Sequence, residues 1–360
     1  FVGRHLLRKL KCLKSKYKIV FITRSDFKSE TNLLKKISVN DTIFHFAGVN
    51  RDISEEEVFR KNNEINLVLY RVLEKLKFKG KLLFSSSIQE DYDTPYGKSK
   101  KDSRLNFQKQ SLSLGYNFYG IISPNIFGPF CKPNYNSFIA TFSSMIINDE
   151  TPKIYDDKNI KLIYVGDFID EIIKILNNDN FVEIDLEKIN SFKVSDVLKK
   201  LNLFKEIYIK KGEIPDLSSH FDLCLFNTFR SYIDLESFFP RPYKMFSDSR
   251  GIFSELSRSF SEAQTSFSST YENEIRGNHF HTRKIERFSV IKGKAKIQLR
   301  EILSEKKLEF IMDSSKPSYI DIPIWFTHNI QNIGSQELIT VFWINEHYCE
   351  DSPDTYIENV

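Results

Sequence analysis

No stretch of the chain reaches about 18 uninterrupted apolar residues, so no helix built from it is expected to cross a membrane. Cysteine is scarce: four residues in 360, at positions 12, 131, 224 and 349, with no Cys-x-x-Cys pair. That scatter argues against a cysteine-held metal and for a reducing, cytoplasmic compartment. Neither sign of charge dominates. The 52 basic and 48 acidic residues leave a net charge of +4, and lysines alternate with glutamates and aspartates instead of gathering in a patch. No nucleic-acid partner is expected from such a surface. Internal repeats and low-complexity tracts are also absent. What remains is a globular balance, 41% hydrophobic and 28% charged, in a chain of 360 residues, long enough for two cores.

The first residue is Phe1, not Met, and it opens the run FVGRHLLRKLKCLKSK. Val2, Leu6, Leu7, Leu10 and Leu13 recur there at helical spacing among basic residues. The run reads as an amphipathic helix whose beginning lies upstream, not as a signal-peptide core. From Lys18 to about Leu176, short apolar runs alternate with longer helical ones. Buried strands are expected at 18–23, 42–47, 81–86, 117–123 and 161–165, and helices at about 54–77, 98–114, 134–147 and 167–176. Alternation of this kind implies right-handed crossovers and a doubly wound parallel sheet of the Rossmann type, an α/β fold. From about Lys244 short alternating strands and turns take over, which predicts an all-β barrel. The Pro240 and Pro242 segment FFPRPYK is the expected seam, placing one domain at 1–243 and the second at 244–360.

Two constellations carry chemistry. In FSSSIQEDYDTPYGKSK (84–100), a serine run ends a strand, and Tyr96 and Lys100 follow four residues apart. On a helix that spacing shares one face, so an ammonium near the phenol is expected to favour phenolate and lower its pKa. The tyrosine can then exchange a proton with a carbonyl or hydroxyl oxygen held by a serine from the strand end. The second constellation begins at RGNHFHTRKIERFSVIKG (276–293). His279 and His281 alternate on one side of a strand, Glu286 follows, and His328 is supplied by IPIWFTHNIQN (322–332). Three imidazoles and a carboxylate suit a divalent first-row ion, with zinc the expected one.

The serine run and the PYGKSK box resemble the extended short-chain dehydrogenase/reductase family. The resemblance implies Ser87 as the catalytic serine, with Ser86 as the alternative that also touches substrate. It implies Tyr96 as proton donor, and Lys100 as the residue that tunes it and binds the nicotinamide ribose. HFAGVNR (45–51) is similar to the family turn beside the cofactor, which brings in Ala47 and Gly48; PNIFGP (124–129) implies Asn125 near the substrate. Arg24, where the second strand should end, suits the extra phosphate of NADPH, although Asp26 stands two residues away. Of the family's glycine-rich phosphate loop only Phe1-Val2-Gly3 is present, so Gly3 is its one representative.

The histidine set has the spacing of the two cupin motifs, with three departures. Asn273, Pro317 and Trp325 stand where that family has turn glycines. Both parts together resemble the bifunctional capsular-polysaccharide enzymes that make precursors of UDP-N-acetyl-L-fucosamine. HFAGVNR, SSSIQ, PYGKSK, PNIFGPFCKPNYNS, DSRGIFSE, RGNHFH, THNIQN and PDTY carry that likeness. It implies cupin-catalysed epimerisation at carbon 3 of a UDP-activated 4-keto-6-deoxy amino sugar, NADPH-dependent reduction at carbon 4, and a homodimer. Two other readings stand beside it: a 4-keto reductase with a structural cupin, and a non-catalytic sugar-nucleotide-binding protein.

Overall fold

A computed structural model describes residues 1–13, 17–177, 189–248, 251–254, 256–257, 259–260 and 263–360. Ser249, Arg250 and Glu255 of the DSRGIFSE segment therefore lie outside the described residues. The chain divides into two compact units. One comprises Phe1–Phe127, Cys131–Thr141 and Asp156–Val194; the other comprises Gly128–Phe130, Phe142–Tyr155 and Ser195–Val360.

In the first unit the elements run α1 (Val2–Cys12), α2 (Glu30–Leu34), β1 (Thr42–His45), α3 (Glu55–Lys75), β2 (Lys81–Ser87), α4 (Pro95–Leu114) and β3 (Asn117–Ser123). β4 (Asn125–Phe127), α5 (Phe138–Ile147, whose second half belongs to the other unit), β5 (Asn159–Tyr164), α6 (Val165–Ile172) and β6 (Ser191–Lys193) follow. Strands β1, β2 and β3 form a parallel sheet in that order, and β4, β5 and β6 form a second small sheet. β2 is covered on both faces. Leu83 packs with Leu6, Leu10, Ile121 and Phe168, whereas Leu82 and Phe84 pack with Leu69, Leu73 and Phe107. This alternation is why the strand reads as a continuous apolar run. Each fully buried Leu or Phe contributes about 1.5–3 kcal/mol.

One expected strand is missing. Residues 18–23 join no sheet, and Ile19, Val20 and Phe21 are exposed at 39%, 45% and 53%. A strand exists only where a neighbour takes its hydrogen bonds, and β1 ends the sheet among the described residues. Composition alone cannot supply the missing partner.

The second unit holds α7 (Val194–Phe204, which starts at the last residue of the first unit), a π-helical turn at Lys205–Lys210, α8 (His220–Arg230) and α9 (Leu235–Phe238). Sequence periodicity did not reveal these helices. In α8 every residue from Cys224 to Arg230 is buried, so no polar face marks it. The strands are β7 (Arg241–Pro242), β8 (Met245–Asp248), β9 (Gly251–Ser254), β10 (Gln264–Thr270), β11 (Ile275–Phe280), β12 (Glu286–Lys292) and β13 (Lys294–Glu301). They continue as β14 (Lys307–Asp313), β15 (Ser318–Ile322), β16 (Phe326–Asn332), β17 (Leu338–Ile344) and β18 (Tyr356–Ile357). Two antiparallel five-stranded sheets, β10-β17-β12-β15-β7 and β14-β13-β16-β11-β18, enclose a core that includes Phe288, Val290, Ile297, Leu299, Phe310 and Ile330. This is the all-β half the sequence predicts.

Candidate functional site

The end of β2 and the start of α4 build the first site. Thr94 caps α4 by accepting from the Gly97 amide at 3.1 Å, and Pro95 occupies the first turn. Tyr96 therefore sits in the opening turn, with Lys100 one turn later. Gly97 is there for space. A Cβ on it would lie 2.1 Å from the Gln89 carbonyl oxygen, so only glycine lets α4 approach the turn that follows β2 this closely.

Tyr96 and Lys100 share a side of the helix. The ammonium lies 5.9 Å from the Tyr96 ring centre and donates to the Ser85 carbonyl at 3.0 Å. The expected lowering of the phenol pKa does not occur. Burial pushes Tyr96 up to about 12, and Tyr135 nearby adds to the shift. Burial also pushes Lys100 down to about 8, against the opposing pull of Glu90. Desolvation outweighs the neighbouring cation, so at neutral pH the phenol keeps its proton.

The serines divide. Ser86 is buried and donates to Glu90, whose carboxylate holds Arg104 at 2.9 and 2.7 Å; its carbonyl accepts from Ser123 at 2.6 Å. Those contacts fix the strand end. Ser87 accepts from the Gln89 amide at 3.2 Å, which leaves its own O–H to be donated.

Gly48 is a close approach: a Cβ there would meet the Lys100 ammonium and the Asn62 side-chain oxygen, each at 3.3 Å. Asn62 braces the turn holding Ala47 and Gly48 by bonding both the amide and the carbonyl of Val49 at 2.8 Å. His45, beside that turn, is wholly buried, pushed down to about 4 and paired with Asn66 at 2.7 Å; it is a neutral core residue. Asp26 is occupied by the Thr23 amide and the Lys36 ammonium at 2.6 and 2.9 Å, while Arg24 beside it is exposed. Gly3 lies in the first turn of α1, where an added Cβ would make an ordinary contact with the Phe46 ring at 3.7 Å. Asn125, exposed on β4, reaches the Lys161 carbonyl at 3.5 Å. Sequence reasoning missed Asn62, Glu90, Arg104 and Tyr135, because nothing in their local spacing marks them.

The second site is built from His279 on β11, His281 just past the end of that strand, Glu286 at the start of β12 and His328 on β16. One donor atom from each of His279, His281, Glu286 and His328 falls within 4.8 Å of all the others. His281 Nε2 and His328 Nε2 approach Glu286 Oε2 at 3.1 and 3.0 Å, yet none of these three buried atoms makes a hydrogen bond. Their lone pairs converge on a common point, which fits a cation of the size of a divalent first-row metal. Each tautomer is set from outside: His281 Nδ1 donates to the Asp354 carbonyl, and His328 Nδ1 to the Phe326 carbonyl at 3.3 Å. Both Nε2 atoms are thereby left as acceptors. Burial, then His328 and His281, push His279 down to about 4.

Two of the three departures from the cupin glycines keep glycine's backbone. Asn273 and Trp325 have φ of 63° and 67°, in the left-handed region. The Trp325 amide donates to the His281 carbonyl at 2.8 Å, which ties that turn to the histidine cluster.

Comparison with known proteins gives a consistent picture. The polysaccharide biosynthesis C-terminal domain family matches residues 246–356. Over 363 residues the chain is 32% identical to the UDP-2-acetamido-2,6-beta-L-arabino-hexul-4-ose reductase of Pseudomonas aeruginosa PA103, covering 99% of this chain and 95% of that protein. A shorter likeness, 25% over 118 residues, links 30% of the chain to 78% of the spore coat polysaccharide biosynthesis protein SpsL of Bacillus subtilis. Among solved structures, the capsular polysaccharide assembling protein CapF from Staphylococcus aureus aligns with a TM-score of 0.61 at 30% identity, covering 100% of this chain and 97% of that one.

Proposed function

The chain belongs to the family of the Pseudomonas aeruginosa UDP-2-acetamido-2,6-beta-L-arabino-hexul-4-ose reductase, and from that premise we propose a bifunctional UDP-sugar enzyme of capsule or O-antigen precursor synthesis. Residues 1–243 form the reductase and 244–360 the cupin, within which the family match at 246–356 falls. The substrate in this reading is a UDP-activated 4-keto-6-deoxy-N-acetylhexosamine, inverted at carbon 3 and then reduced at carbon 4 on the path to UDP-N-acetyl-L-fucosamine.

The observation that carries the reading is the coexistence of two complete side-chain sets: Tyr96 and Lys100 on one face of α4, and four converging ligands in the barrel. Ser87 donates to the carbon-4 oxygen, and Tyr96, a phenol that keeps its proton, protonates that oxygen as it gains charge. Lys100, Ala47 and Gly48 border the nicotinamide ribose, and Arg24 takes the phosphate that distinguishes NADPH. Bound NADPH would supply the hydride. His279, His281, Glu286 and His328 hold the metal, which we read as zinc. The bound ion would supply positive charge beside the ketone whose neighbouring carbon-3 proton is exchanged. No described helix is long and apolar enough to cross a membrane, and we place the enzyme in the cytoplasm as a homodimer.

The Pseudomonas relative is named for a reduction alone, which favours a second reading in which the cupin is purely structural. One experiment separates the two. The full-length protein is incubated with the UDP-4-keto sugar in deuterated water, with and without NADPH. Deuterium entering carbon 3 without NADPH, and NADPH oxidation when it is added, support the bifunctional enzyme. Oxidation without exchange leaves only the reductase, and neither signal defeats both.

A further inference from the structure

The segment Pro353–Asn359 lies against the metal site at three of its four ligand positions. β18 pairs with β11, setting Ile357 opposite His279 and Tyr356 opposite Phe280. The Glu358 amide donates to the Asn278 carbonyl at 3.0 Å, and Thr327, next to His328, donates its hydroxyl to the Glu358 carbonyl. Asp354 engages the strand end that carries His281. Its carboxylate accepts the amides of Thr282, Arg283 and Lys284, each at 3.0 Å, and the Thr282 hydroxyl at 2.6 Å, while its carbonyl accepts His281 Nδ1. The Asp354 side chain is 0% exposed.

These contacts converge on one task. Three consecutive amides and a hydroxyl match the acceptor sites of one carboxylate, so residues 282–284 are held in a single conformation. The same residue fixes the imidazole between them and the barrel interior, because a proton held on Nδ1 leaves Nε2 as the lone pair facing Glu286. We infer that Pro353–Asn359 is a clasp whose docking and metal binding are mutually dependent, with Asp354 the positioning residue that sets His281. The inference rests on reading the four side chains as metal ligands. By reciprocity, whatever free energy the docked clasp adds to metal affinity, the metal returns to the docking of the clasp.

Asp354 has φ of 43°, so an alanine there would add backbone strain of its own. Asp354→Gly removes the carboxylate and keeps that backbone accessible; Asp354→Asn keeps one acceptor oxygen. The test is competition of full-length protein against a chromophoric chelator for zinc ion, paired with amide hydrogen exchange of residues 353–359 with and without zinc. Asp354→Gly is expected to weaken zinc binding by about 10–100-fold, with Asp354→Asn between it and wild type. Zinc is expected to slow exchange at Tyr356, Ile357 and Glu358 in wild type. Equal zinc affinity in wild type and Asp354→Gly overturns the clasp, because a merely structural residue alters stability and not affinity. Exchange at 356–358 that ignores zinc overturns it too, and this arm needs no variant to fold. A wild type that binds no zinc removes the metal reading and the clasp with it.

Discussion

His279 and His328 are direct partners in the antiparallel pairing of β11 with β16, their ring centres 4.5 Å apart. The pairing follows a bulge. The register shifts between Gly277 and His279, where Gly277 and Asn278 have φ of 101° and 57°. A Cβ on Gly277 would lie 2.7 Å from the His328 carbonyl oxygen, so the strands approach this closely only because that position is glycine. The extra residue re-aims the strand, and the two imidazoles meet.

Replacing one of this pair dismantles the set without touching the reductase half. His279→Gln is expected to lower divalent-metal affinity by more than about 100-fold, since even a partner outside the ligand set costs about 10–100-fold. Metal content per chain and deuterium uptake at carbon 3 should both collapse, while NADPH oxidation with a substrate already of the right configuration continues. Carbon-3 exchange at the wild-type rate would remove the cupin from catalysis.

Tyr96 gives the converse result. A phenol pushed up to about 12 holds its proton at every working pH, as the acid of a reduction must. Tyr96→Phe is expected to cut the rate of NADPH oxidation by about 10²–10⁴-fold, mainly in kcat, and to leave carbon-3 exchange unchanged. A variant that retains more than a tenth of wild-type turnover would show that the proton comes from elsewhere.

Much of this was legible before any coordinates. Strand β2 is a run of apolar residues ended by serines, and β3 has the bounds that 117–123 predicts. The His279, His281, Glu286 and His328 cluster was readable because His279 at the end of β11 and His281 just beyond it alternate along extended chain. What escaped the sequence depends on partners distant along the chain. Residues 18–23 have strand composition and no neighbour to pair with. Asp354 sits 73 residues from His281, and the brace Asn62 on α3 looks like any polar residue on a helix. The sign of the Tyr96 shift was misjudged because spacing shows the ammonium and not the burial, and burial is the larger effect.

The same burial acts on Lys100 and makes a prediction for stability. Its ammonium, pushed down to about 8 from 10.5, is disfavoured in the folded chain. Below pH 8 both folded and unfolded chains hold the proton, and the fold carries the whole penalty. Between pH 8 and 10.5 the unfolded chain binds more protons, so stability rises with pH. Above that window both are neutral. The cofactor-free protein is expected to gain about 3 kcal/mol across the window relative to Lys100→Met, read from urea midpoints at a series of pH values. Parallel pH profiles for the two proteins would show that Lys100 is not desolvated as the fold implies.

The pair Arg287 and Asp321 behaves in the opposite way. Both are almost wholly buried; Arg287 Nε and Nη2 grip the carboxylate at 2.7 and 3.0 Å, and Tyr208 donates to it at 2.7 Å. Burial alone would raise Asp321, but the guanidinium overrides it and holds the carboxyl below its ordinary 3.8. This contribution to stability is present above about pH 4 and is lost as pH falls through the folded value. Asp321→Leu leaves a buried guanidinium without its carboxylate and is expected to destabilise by about 3–5 kcal/mol. The double variant Arg287→Met with Asp321→Leu should recover most of that loss, because the stranded charge is gone. A double-mutant cycle in urea decides it. If the double variant is as unstable as Asp321→Leu alone, the harm comes from lost packing or from the Tyr208 hydroxyl left without its acceptor, and not from an unpaired charge.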